Sequence, residues 1–436
     1  MMRICFLVFL FFTWLACLPK VGHGEVFLVS SAFADESITL SLDEALAIAL
    51  RDNREVRLSQ EKLAQEKSKV AEAKSAFWPE ISLNTTATRT RGLYRKDINS
   101  YSFSTGIKQY LYKGGKTVNT LHKAEYETRA QEAVVDKATS EIALGVKKLF
   151  YTLSIAKELT QLNKEILENT KAYLATITAR YEKGEVSESE VLKVKVSVSS
   201  YESIYEAALN QMHSAIALLK SALYIEEDAV VDIQNGFEYT PREIAVDEAI
   251  LNALRLRPEI KQYEAQYEAD KAQVEITKSE NRPTVYGSFD YYSRSTTSLS
   301  FSPSKGWQDY NLVGLTLSWP IFDGWATKHK VEQAVSTLKQ DSILQEKLKM
   351  DIATQVKEAY LSLKSAIAII EPKKKDIELY TDNLTVAQAQ YQKGILSELG
   401  LKDAKLKLSV SQFNQKQALY DCLVAKARLE NAMGVR

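Results

Sequence analysis

A mainly α-helical fold with a minor β component, laid out as one unit used twice, is what the sequence predicts. Three observations carry that reading. Gly (16) and Pro (8) are scarce among 436 residues, so long stretches contain no helix breaker. Landmarks recur at a near-constant offset. Asp43-Glu44-Ala45-Leu46 returns as Asp247-Glu248-Ala249-Ile250, and Trp78-Pro79 as Arg282-Pro283, both 204 residues on. Tyr112-Lys113-Gly114 returns as Phe322-Asp323-Gly324, and Tyr181-Glu182-Lys183-Gly184 as Tyr391-Gln392-Lys393-Gly394, both 210 residues on. One insertion of six residues separates the two sets. Finally, four segments alternate apolar and polar residues with period two, the signature of strands that are apolar on one face.

The elements follow in order. Arg3 and the apolar run from Ile4 to Leu18 are too short for a membrane span and read as a secretory signal. The small-x-small site Ala32-Phe33-Ala34 places cleavage after residue 34, with lipidation at Cys17 as the rival. Removing residues 1–34 takes away Arg3, Lys20, Glu25, Cys5 and Cys17, leaving a net charge of −1 and Cys422 alone. An exported chain with one Cys has no internal disulfide. The first repeat spans 38–225, with helices over 42–77, 116–182 and 187–223 and strands over 80–90 and 101–112. A linker covers 226–243. The second repeat spans 244–436, with helices over 244–281, 325–393 (broken near Pro372) and 397–433, and strands over 284–294 and 310–321.

Ser41 and Glu44 form a capping box for the first helix, and Pro79 ends it. The long helix runs from near Lys116 to Gly184, roughly 100 Å at 1.5 Å per residue. In its partner, Val191, Val194, Val198, Tyr201, Tyr205, Ala208, Met212, Ala215, Leu219 and Ala222 alternate spacings of three and four. That is a coiled-coil seam, so each half holds an antiparallel helical hairpin turning at Gly184 or Gly394. Glu371-Pro372 marks a kink or the start of a new helix.

In the strands Ile81, Leu83, Thr85 and Ala87 oppose Ser82, Asn84, Thr86 and Thr88. Tyr101, Phe103, Thr105, Ile107 and Leu111 oppose Ser102, Ser104, Gly106, Lys108 and Tyr110. The second half repeats the pattern, ending with Val313, Leu315, Leu317, Trp319 and Ile321 against Gly314, Thr316 and Ser318. Length and period match membrane β-strands, with a small hydroxyl-rich face toward water. Tyr101, Tyr291, Tyr292, Trp307, Tyr310 and Trp319 sit near strand ends, as girdle aromatics do. A soluble four-stranded sheet packed on the helices is the competing reading. Four strands cannot close a membrane barrel, so the membrane reading demands an oligomer: a dimer gives eight strands, a trimer twelve.

Other function classes find little support. Acidic and basic side chains number 56 each, so no basic field suits nucleic acid. His122, His213 and His329 lack ligand-like spacing, so no metal site or other cofactor is expected. No phosphate loop or nucleophile elbow occurs, and an enzyme is not expected. A soluble periplasmic coiled-coil adaptor or scaffold is the alternative function.

The duplicated order resembles the TolC-like outer-membrane efflux proteins over residues 38–436. The residues that carry the resemblance are Ser41-Leu42-Asp43-Glu44-Ala45-Leu46, Ile321-Phe322-Asp323-Gly324 and the two tips. The tips read Arg180-Tyr181-x-x-Gly184-x-x-Ser187 and Gln390-Tyr391-x-x-Gly394-x-x-Ser397. The resemblance implies a homotrimer in outer-membrane lipid. Its twelve-stranded β-barrel would continue into a long α-helical coiled-coil barrel in the periplasm. It implies docking on a periplasmic adaptor and an inner-membrane pump of RND, ABC or MFS type. The cargo would be a drug, a metal or a polypeptide.

The resemblance also implies a gate at the periplasmic tip. Tyr391 and Asp403 match gate positions of the second hairpin, and Glu190 sits where the first hairpin usually has Asp. Leu396 replaces a latch Arg and Gly400 an Asp, so the latch is expected to be thinner or rebuilt from Lys402, Lys393 or Glu398. Threefold symmetry would make Asp403 a ring of carboxylates, which favours cations. Gly184, Glu185, Val186 and Ser187, with Gly394, Ile395, Leu396 and Ser397, are the expected adaptor contacts. Exposed Val186, Ile395 and Leu396 at a tip suggest a partner.

Overall fold

The computed structural model describes residues 38–93, 96–226, 228–234, 245–296 and 306–435. The expected signal segment and most of the linker lie outside these residues. Strand β1 (Ile38–Leu40) leads into helices α1 (Leu42–Asp52) and α2 (Arg54–Ser75). Strands β2 (Glu80–Leu93) and β3 (Lys96–Lys113) precede the 67-residue helix α3 (Lys116–Glu182) and the 36-residue α4 (Glu188–Leu223). After β4 (Val231–Ile233) the order repeats. It runs through α5 (Val246–Leu256), α6 (Pro258–Lys278), a short 3-10 turn, β5 (Thr284–Ser295) and β6 (Gln308–Ser318). It ends with α7 (Ala326–Gln392) and α8 (Glu398–Met433), again of 67 and 36 residues.

The helix expected over 42–77 is two helices. Asn53 leaves the helical region (ψ 126°), and its side chain accepts from the N–H groups of Glu55 and Val56, capping α2. The helix expected over 244–281 breaks at the matching place, with Pro258 opening α6, where a missing N–H costs nothing. The expected break near Pro372 does not occur: α7 runs through it. Proline removes one i→i−4 hydrogen bond there, and the 66 other residues of α7 hold the helix. At the start, Ser41 and Glu44 form the expected reciprocal box, Glu44 N–H donating to Ser41 Oγ at 3.3 Å and Ser41 N–H to Glu44 Oε2 at 2.9 Å.

Two cores repeat the duplication. In one, Ala45 and Ala49 of α1 pack against Val146, Leu153, Ala215 and Leu219. In the other, Ala249 and Ala253 of α5 pack against Val356, Leu363, Ala425 and Leu429. Each pair is related by the sequence offset of 204 or 210. Cys422 is fully buried in the second core, where Met212 flanks the first. Strands β1 and β4 pair in parallel beside the first core, a contact with no precedent in the sequence reading, and Lys157 of α3 pairs with Asp232 of β4.

Strands β2-β3-β5-β6 form one antiparallel sheet. Its strands β2 and β3 extend beyond the expected 80–90 and 101–112, to Leu93 and from Lys96 to Lys113. A bulge between Tyr110 and Tyr112 shifts register, so Tyr112 pairs with Val285. The alternation expected through Leu111 therefore stops at Tyr110. The register places Ile81, Ile107, Phe289, Val313, Leu315 and Leu317 on one face, all exposed. Tyr292 pairs with Tyr310 on the opposite, polar face, stacked at 5.0 Å. These two are not girdle residues, because even-to-even pairing puts them in line with Ser104 and Asn84.

Each strand-to-helix joint needs two consecutive left-handed residues: Gly114 and Gly115 (φ 63° and 90°), then Gly324 and Trp325 (φ 68° and 67°). Gly114 also clasps the repeats together. Its carbonyl accepts from Arg282 Nη1 at 3.0 Å, and an added Cβ would lie 2.7 Å from Arg282 Cβ. Gly114→Ala is therefore expected to cost about 1–3 kcal/mol through overpacking and a left-handed Cβ. Gly184→Ala, whose Cβ would meet nothing within 4 Å, costs only the backbone part. Thermal melts of the two variants check the difference.

Candidate functional site

Both hairpins turn by the same device. Gly184 (φ 77°) donates to the Tyr181 carbonyl at 2.8 Å while Glu185 reaches back to Arg180 at 2.9 Å. Gly394 (φ 73°) donates to Tyr391 at 2.9 Å and Ile395 to Gln390 at 2.9 Å. These paired bonds satisfy the last carbonyls of α3 and α7 and reverse the chain within four residues. Ser397 then caps α8, accepting from Gly400 N–H at 3.2 Å, whereas Ser187 makes no such side-chain bond to α4.

Of the apolar tip residues, Ile395 is 72% exposed, but Val186 and Leu396 are half-buried, not open as expected. Leu396 folds onto Gly400: a Cβ there would come within 2.6 Å of Leu396 Cδ1. The two departures from the family pattern are thus one change, the leucine occupying the space that glycine frees. Gly184, Glu185, Ser187 and Gly394 remain exposed at the apex.

A polar cluster joins the two hairpins just above the tips. Glu398, in the first turn of α8, lies 3.3 Å from Lys402 on its own helix and 4.0 Å from Arg180 at the end of α3. Lys402 Nζ stands 4.6 Å from the centre of the Tyr173 ring, also on α3. Burial pushes the Tyr173 phenol up, with the charges of Glu398 and Glu190 adding to this and Arg180 opposing it. It therefore stays a neutral ring under an ammonium, a cation–π contact. Above the cluster a groove of about 280 Å³ separates α8 from the first hairpin, lined by Ile166, Tyr173, Val194, Tyr201, Lys402 and Leu406.

The other expected gate residues are less engaged. Asp403 borders the groove and pairs with Lys407 one turn along its own helix at 2.8 Å, both more than half exposed; the bond raises the Lys407 pKa. Glu190 is exposed and acts on the cluster only through its field at Tyr173. Tyr391 is 40% exposed at the tip. Arg180 and Tyr173 are members of this cluster that sequence reasoning did not place there. Their signal was positional: antiparallel hairpins of equal length bring the end of α3 level with the start of α8.

The seams differ in character. Within the first hairpin Val191, Val198, Ala208, Ala215 and Leu219 are buried. Between hairpins, α3 and α8 meet through Lys416–Glu158 at 2.6 Å, Thr152–Tyr420 at 3.2 Å and Lys147–Glu430 at 3.6 Å. Among the described residues no helix is long and apolar enough to cross a membrane, and no group of three or more metal-ligating side chains occurs.

The family model for outer membrane efflux proteins matches residues 45–223 and 249–435, the two repeats. The chain belongs to the outer membrane efflux protein family. Among relatives, it is 23% identical to the outer membrane protein TolC of Escherichia coli over 434 residues, covering 93% of this chain and 84% of TolC. It is 22% identical to protein CyaE of Bordetella pertussis over 345 residues, 77% of this chain and 71% of CyaE. Its fold matches the CmeC outer membrane channel of Campylobacter jejuni with a TM-score of 0.79 at 15% identity, over 93% of this chain and 90% of that one. The protein is accordingly an outer-membrane efflux or secretion channel, with its strands in the outer membrane and its helical barrel in the periplasm. The channel reading replaces the soluble-scaffold alternative, and its relatives are channel proteins rather than enzymes.

Proposed function

We propose that three copies of this chain form one passive exit duct, gated at the helical tips and opened by a periplasmic adaptor that links it to an inner-membrane pump. The observation that carries the reading is the four-stranded sheet with two unpaired edges, β2 and β6, and an exposed apolar face. Open edges are not tolerated in lipid, and four strands cannot close on themselves. Three copies supply twelve strands, the number the family resemblance implies. The chain covers 84% of TolC and 90% of CmeC, so the whole channel unit of those relatives has a counterpart here.

The gate follows from the seams. Apolar packing keeps each hairpin a rigid pair, while the ion pairs between hairpins, Lys416–Glu158 and Lys147–Glu430, can exchange their partners for water at little cost. The second hairpin can then swing from the first once Arg180 releases Glu398 and Lys402 leaves Tyr173. The tips Gly184–Ser187 and Gly394–Ser397, with Ile395 projecting, are where an adaptor would engage. Asp403 would form a ring of three carboxylates at the mouth, each already paired with Lys407. Divalent cations are expected to block the single-channel current. Asp403→Ala should weaken that block and Lys407→Met strengthen it. Block unchanged in both variants would remove Asp403 from the mouth.

A further inference from the structure

The polar face of the sheet carries more than hydroxyls. Tyr110 pairs with Tyr286 across β3 and β5, their rings 5.6 Å apart and tilted by 59°. Lys108 Nζ lies 4.8 Å and 4.2 Å from the two ring centres, and Lys113 Nζ lies 3.6 Å from Tyr110. Six residues further along β5, about 20 Å at strand spacing, Tyr292 stacks on Tyr310, and the Arg294 guanidinium lies 6.0 Å from Tyr292. The rings are only partly covered. Each station therefore offers π-faces beside fixed cations. Across the same face the cations outnumber the acids Glu80 and Asp290, and the Asp290 carboxylate is turned over Gly106 between the stations.

We propose that this face is a stacking track for planar aromatic anions passing through the barrel. Tyr110, Tyr286, Lys108 and Lys113 form its inner station, and Tyr292, Tyr310 and Arg294 its outer one. The inference rests on the trimeric duct, because only a closed barrel makes this face a lumen. A ring stacked on a tyrosine face gains without any requirement for sequence or shape, and a carboxylate on that ring adds attraction to the ammonium groups. The binding is weak and repeated, which is what permits both entry and exit.

The test uses the full-length protein in planar lipid bilayers, with sodium 2-naphthoate added on the extracellular side and sodium cyclohexanecarboxylate as the non-aromatic anion. Naphthoate should block the current at roughly tenfold lower concentration, the lower range of one stacking contact. Tyr110→Leu with Tyr286→Leu should remove that advantage, while the corresponding double Phe variant keeps it. Lys108→Met with Lys113→Met should weaken block by naphthoate but not by neutral 2-naphthol. Equal block by both anions, or full naphthoate block in the double Leu variant, overturns the track while leaving the duct intact. Failure of the unmodified protein to conduct at all overturns the duct, and the track with it.

Discussion

Val313→Arg is expected to abolish outer-membrane assembly, while Asn84→Arg leaves it intact. Val313 is 78% exposed on the apolar face of β6, and Asn84 lies on the polar face of β2, paired with Ser104. An arginine facing lipid near the bilayer midplane costs about 2–4 kcal/mol, and a trimer would bear that cost three times. The same side chain in a wet lumen keeps its hydration. Heat-modifiable migration of outer-membrane fractions reads the difference. Normal assembly of the Val313 variant with loss of the Asn84 variant would reverse the assignment of the two faces.

The second large effect is expected at the latch. Among the described residues Glu398 is the acid that pairs with both Arg180 and Lys402, and its side chain is only 21% exposed. Glu398→Gln should raise the open fraction of the channel. A partly exposed pair contributes roughly 0.2–1 kcal/mol, so three copies shift the equilibrium by about 0.6–3 kcal/mol, or roughly 3- to 150-fold. Arg180→Gln should act in the same direction, and combining it with Glu398→Gln should add little, because both remove one contact. Single-channel recording checks this. An open fraction unchanged in both variants would place the closed-state contacts elsewhere in the tip.

Much of this architecture was legible because it is periodic. The duplicated breakers Gly184 and Gly394 mark both tips, and seam spacing in 191–222 predicts a helix that packs along its whole length. The strand faces followed from period two until the bulge after Tyr110, which a single unpaired residue creates without altering composition. The parallel pairing of β1 with β4 was invisible: three-residue strands nearly 200 residues apart leave no local signature. The breaks at Asn53 and Arg257 were present as a cap residue and a Pro, but uninterrupted apolar spacing on either side concealed them. At the tip, Lys402 and Glu398 were accessible as replacements for the missing arginine. Arg180 and Tyr173 were not, since their role depends on which hairpin lies beside α8. The match between Leu396 and Gly400 likewise required the distance between them.

The central claim is that copies of this chain close their sheets into one conducting barrel. Its most direct test is single-channel recording on detergent-purified protein whose particle mass has been measured. The account predicts a particle of three chains that inserts into a planar bilayer and conducts in discrete, uniform steps. A single-chain particle that stays soluble without detergent and conducts nothing would contradict it.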